Sequence, residues 1–180
     1  MPVQKTVNRE LPAAYHGDFC DANPRVTLDA PEGGWRAGAN GVQAGSFVWA
    51  DENNRVLNNS GTGTPDAFVG REGLSIIQSI PQAASVRMVP GQPVTAYAQA
   101  GFWVQLPAGV TATRGAPVYA DTTTGGIVAS GGANAAQTRF FYATSGTPGA
   151  MVKMTTYMVA PVAPATSTTS GTSTTSGTGS

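Results

Sequence analysis

From Val94 to Leu106 the chain alternates. Val94, Ala96, Ala98, Ala100, Phe102, Val104 and Leu106 fall on one face, and Thr95, Tyr97, Gln99, Trp103 and Gln105 fall on the other. Strict period two over thirteen residues is a strand pattern that helical spacing cannot imitate. One strand of that length would run about 43 Å, so a bend, bulge or hairpin is expected near Gln99–Gly101. Trp103 and Tyr97 lie on the polar face, where packing against a second sheet is expected and a partner or sugar contact is the alternative. Shorter runs of the same kind occur at Ala67-Phe68-Val69-Gly70, Leu74-Ser75-Ile76-Ile77, Val86–Val89, Gln137–Ala143 and Met151–Met158. No stretch carries an apolar stripe at 3.6-residue spacing, so helix should be a small minority.

Two strand-turn-strand stretches share a pattern. Gly45-Ser-Phe-Val-Trp-Ala-Asp51 and Gly115-Ala-Pro-Val-Tyr-Ala-Asp121 both read Gly, two spacers, Val, aromatic, Ala, Asp, at an offset of 70 residues. Each Asp is followed by a polar run, an apolar pair (Val56-Leu57 or Ile127-Val128) and Ser-Gly. A carboxylate in such a place bonds backbone two residues on, and Gly125-Gly126 tolerates positive φ, so both Asp residues read as turn formers. The expected fold is all-β: a barrel or sandwich of short antiparallel strands with an internal pseudo-repeat.

Composition divides the chain into three. Residues 1–36 hold Pro2, Pro12, Pro24 and Pro31 with scattered apolar positions and read as an extended N-terminal arm. Residues 37–160 form the β-rich body. Residues 161–180 are a flexible tail: from 166 onward only Thr, Ser and Gly occur, leaving nothing apolar to bury.

Charge narrows the function. Ten Lys and Arg balance ten Asp and Glu, so no net field exists to draw in nucleic acid or an anionic membrane. Only five charged residues (Arg87, Arg114, Asp121, Arg139 and Lys153) lie in the last 108, which points to surface that meets other protein. The other reading is a Gly/Ser/Thr surface that is polar without charge. A single cysteine, Cys20, excludes an internal disulfide framework, and Met1-Pro-Val-Gln-Lys5 opens no secretory signal. The one histidine, His16, and Cys20 have no further His or Cys to complete a zinc site, and no nucleophile-elbow, zincin or P-loop motif is present. Neither catalytic residues, nor a metal, nor a cofactor is expected.

Taken in order, Ala14-Tyr-His-Gly-Asp18 with Asp21, Gly45-x-Phe47-Val48, and Gly115-Ala-Pro-Val-Tyr-Ala-Asp121 with its Gly-rich turn resemble the head-decoration (capsid cement) proteins of tailed bacteriophages. The similarity spans roughly residues 12–158. It implies a non-enzymatic virion protein, assembled in the host cytoplasm, which binds major capsid protein on the outer surface of the head and stabilises the shell against DNA pressure. Partners would be the capsid protein and copies of this chain, as a dimer or trimer, with no nucleic acid and no membrane. Tyr15, Phe19, Arg25, Trp35 and Trp103 are the expected partner-binding residues. The alternatives are a tail or fibre-associated β module, or a carbohydrate-binding β-sandwich stacking sugars on Trp103, Tyr97 or Trp49.

Overall fold

A computed structural model describes residues 14–71 and 87–157. The strand expected at Leu74–Ile77, the first part of the arm and the Ser/Thr/Gly tail lie outside the described residues. Those described form thirteen strands and no helix. In chain order the first seven are β1 (Val26–Thr27), β2 (Arg36–Ala37), β3 (Val42–Gln43), β4 (Ser46–Asp51), β5 (Val56–Asn58), β6 (Ala67–Val69) and β7 (Arg87–Met88). The rest are β8 (Tyr97–Gln99), β9 (Gly101–Gln105), β10 (Pro117–Asp121), β11 (Ile127–Val128), β12 (Ala135–Tyr142) and β13 (Met151–Thr155).

They build a six-stranded sheet, β1-β8-β6-β4-β5-β2, facing a five-stranded sheet, β11-β10-β12-β13-β9, with β3 and β7 as a separate pair. Every pairing is antiparallel but one. β2 runs parallel to β5, with Arg36 beside Val56 and Ala37 beside Leu57, which the all-antiparallel expectation did not include.

The main core lies between the sheets. Phe47, Phe68 and Tyr97 come from one side, and Phe102, Val104, Val118, Phe140, Val152 and Met154 from the other. A second core covers the opposite face of the six-stranded sheet, where Val48, Ala67, Val69 and Ala96 meet Trp35, Ala37, Val42 and Val94. β4 is therefore buried on both faces, with Phe47 and Trp49 pointing one way and Val48 the other.

The long alternation from Val94 has a two-part explanation. Val94 and Ala96 enter the second core, and Ala100, Phe102, Val104 and Leu106 enter the main one. Between them the chain leaves the six-stranded sheet and joins the five-stranded one, so the break falls at Ala100, where a bend was expected. Tyr97, placed on the polar face by parity, is buried because the face opposite Ala96 is the main core.

The two repeats are one hairpin in each sheet, in the same register. Ala50 opposes Leu57 and Trp49 opposes Asn58; seventy residues on, Ala120 opposes Ile127 and Tyr119 opposes Val128. The hairpins also touch. The Phe47 N–H donates to the Gly125 carbonyl (2.8 Å), and the Gly61 N–H donates to that of Thr122 (2.9 Å).

Residues 14–36 lie along both sheets. The Cys20 N–H bonds the Gly101 carbonyl (3.1 Å), Leu28 bonds that of Ala96 (2.8 Å), and β1 pairs with β8. Trp35 is a core residue, and its indole N–H donates to the Asp29 carbonyl at 2.9 Å.

Candidate interaction surface

Asp51, Asp121, His16 and Cys20 are each held in structural bonds. Asp51 accepts the Asn54 backbone N–H (3.1 Å) and its side-chain amide (2.7 Å). Asp121 accepts both the N–H (2.7 Å) and the hydroxyl (2.6 Å) of Thr123. These side-chain bonds first, and the backbone bonds with them, hold both carboxyls below the usual carboxylate range, as turn formers require. His16 and Cys20 do not partner one another: the imidazole bonds backbone at Gly45 and Gln105, and the thiol faces Asp21 and the Met154 carbonyl. Burial, followed by the Asp21 charge, pushes the Cys20 thiol up to about 12, so it carries no thiolate at neutral pH.

What the body offers instead is a face. Along the five-stranded sheet, Phe102, Val104, Val118, Phe140, Tyr142, Val152 and Met154 point inward, which turns Trp103, Tyr119, Phe141 and Met151 outward. The cross-strand register groups them. Trp103 opposes Lys153, Gln105 opposes Met151, Phe141 opposes both Pro117 and Thr155, and Tyr119 opposes Val128. Trp103, Pro117, Tyr119, Val128, Phe141 and Met151 are each half-buried. Val42 and Met88 belong with the second core, on the far side of the six-stranded sheet, so among the described residues no strand covers this outer face. Its charges are Lys153, Arg139 and Asp121. The Lys153 ammonium sits 4.9 Å from the Trp103 ring centre.

The expected partner-binding residues separate into three places. Tyr15 is 59% exposed, with the Arg71 guanidinium 4.8 Å from its ring centre. It leads into Gly17 and Asp18, which bond the Trp103 backbone, so Tyr15 and Trp103 belong to one region. Phe19 packs edge-on to Tyr97 and beside Phe102 while Arg25 stacks over it at 3.6 Å, so Phe19 is half-buried and Arg25 is exposed. Trp35 stands apart at 5% exposure inside the second core and presents no contact.

The outward residues Tyr119, Phe141 and Met151 were not singled out from sequence. Phe140-Phe141-Tyr142 gives no parity to read, since three successive aromatics fit either face. Tyr119 did carry a signal, as the aromatic of the second repeat. Sugar stacking on Trp49 or Tyr97 finds no open ring: they are 7% and 8% exposed, and Gly61 lies against the Trp49 indole.

No curated protein matches the chain. A solved structure, "The capsid of Myoviridae Phage XM1", contains a similar fold: TM-score 0.55 at 16% identity, covering 87% of this chain and 98% of that one. A family model described as "XM1 gp53 minor capsid protein" matches residues 3–156. The match runs over most of the sequence, and the chain belongs to the XM1 gp53 minor capsid protein family, a family of phage capsid structural proteins.

Proposed function

We propose that this protein is a decoration protein, bound to major capsid protein on the outer surface of the phage head, where it stabilises the shell against the pressure of packaged DNA. The observation that carries this reading is the outer face of the five-stranded sheet, with six half-buried apolar or aromatic side chains and three charges. Contact surfaces are depleted of charge and rich in aromatic residues and Met, and such a face left to water favours association. Exposed Tyr15 and Arg25 extend the contact from the arm side. Each added contact between neighbouring capsid subunits raises the barrier to lattice opening, so no catalytic group is called for. Self-association as a dimer or trimer belongs to the same reading.

The experiment uses heads lacking this protein. Adding purified wild-type chain is expected to raise the temperature at which the heads release DNA, and the protein should co-sediment with them. Phe141→Glu places a charge in the middle of the face without touching either core. It should melt within a few degrees of wild type and fail to co-sediment. Wild-type protein that neither binds nor shifts DNA release overturns the decoration role; a Phe141→Glu variant that binds normally overturns the choice of face.

A further inference from the structure

The segment 14–20 closes the gap between the two sheets, and its one imidazole sits at the joint. His16 Nε2 lies 2.7 Å from the Gly45 carbonyl oxygen, and its Nδ1 lies 2.9 Å from the Gln105 backbone nitrogen. A carbonyl can only accept and a backbone N–H can only donate. The two bonds together therefore require the neutral ring with its proton on Nε2 and a lone pair on Nδ1. Gly45 precedes β4 of one sheet and Gln105 ends β9 of the other, so the ring ties both to the arm. Gly45 has positive φ, and any Cβ there would run into the imidazole, so the ring sits against a glycine that leaves room for it.

Backbone bonds complete the clasp. Gly17 donates to the Trp103 carbonyl (2.8 Å), Trp103 donates to that of Asp18 (2.7 Å), and Arg71 donates to that of Gly17 (2.7 Å). The charged groups nearby are Asp18 on the segment itself, Arg71 beyond β6, and Lys153 on β13. None of them is a hydrogen-bond partner of the ring; Asp18 accepts the Tyr15 N–H, while Arg71 and Lys153 lie over Tyr15 and Trp103.

We propose that this segment is an acid-released clasp: protonation of His16 at Nδ1 frees residues 14–18 from the end of β9 while Phe19 and the two sheets stay packed. An imidazolium has two N–H donors, and the second would point at the Gln105 N–H, so the ring must give up that bond. The main core, which contains no part of residues 14–18, holds the sheets together when it does. Burial lowers the His16 pKa below its ordinary 6.5, and the Gly45 bond opposes this in part. The closed clasp thus binds fewer protons than the open one between the lowered value and 6.5. Its stability is complete above 6.5, falls with pH through that window, and levels off below the closed-state value.

NMR on the full chain tests this directly. At pH 8 the long-range nitrogen–proton pattern of His16 should show the Nε2–H tautomer, and titration should give a pKa below 6.5. From pH 7.5 to 5, amide exchange at Gln105, Gly17 and Trp103, scaled to core amides such as Val152, should accelerate by up to about tenfold per pH unit within the window. In His16→Gln the same ratio should not vary with pH. An Nδ1–H tautomer, a His16 pKa at or above 6.5, or a constant exchange ratio in wild type overturns the clasp. So does a pH response that survives in His16→Gln. If that variant does not fold, the wild-type tautomer, titration and exchange decide alone.

Discussion

At the scale of single residues, the repeat is a controlled comparison within one chain. Arg55 and Gly125 occupy the same place in the two hairpins, and both have positive φ, 57° and 71°. Arg55 is the only described non-glycine residue there, and it holds the conformation with an Nη1 bond to the Glu32 carbonyl at 3.0 Å. Gly125 cannot be replaced in the same way. A Cβ would run into the Phe47 carbonyl oxygen, and the Gly125 carbonyl accepts the Phe47 N–H that joins the hairpins. Gly125→Ala should therefore cost about 3 kcal/mol or more, through left-handed backbone and overlap together. Arg55→Gly should leave stability unchanged or raise it by up to about 1 kcal/mol, because relieved strain is set against one exposed hydrogen bond and the greater freedom of unfolded glycine. Midpoints of urea unfolding, compared at equal m, measure both.

At the scale of elements, much was legible because burial has period two wherever a strand has one inward face. Phe102, Val104, Val152 and Met154 were placed on strands from spacing alone, Val118 and Ile127 by the repeat, and the hairpins after Asp51 and Asp121 by their turn chemistry. Parity could not tell which core a strand faced. Val94 and Ala96 share parity with Phe102, yet the chain changes sheets at Ala100 and they enter a different core. Nor could it show that Trp35, in a proline-rich and charged stretch, fills the second core. Two-residue strands such as β1 and β2 carry too little pattern to stand out, and their pairing is decided by contacts remote in sequence. Phe102 shows what the crossing contributes: its ring packs against Phe19, Phe68, Tyr97 and Phe140, drawn from both sheets and the arm. Phe102→Ala should cost about 3–5 kcal/mol, the range for emptying a buried aromatic site, and calorimetry would register it as a lower melting temperature.

At the scale of the whole molecule, the two sheets differ in what they leave open. The six-stranded sheet is covered on both faces, by the main core and by the segment around Trp35 and Val42. Among the described residues the five-stranded sheet is covered on one face only, and its other face carries Trp103, Tyr119, Phe141 and Met151. That asymmetry was only half visible in the sequence. Scarce charge after residue 72 pointed to contact surface, but the outward side chains emerge only once strand register is known. The measurement that tests the account most directly is an image reconstruction of heads bearing this protein, with its orientation resolved. The account predicts the outer face of the five-stranded sheet against major capsid protein on the exterior of the shell, with Trp103 and Phe141 covered. A reconstruction with that face open to solvent, or with the chain on the inner wall of the head, would contradict it.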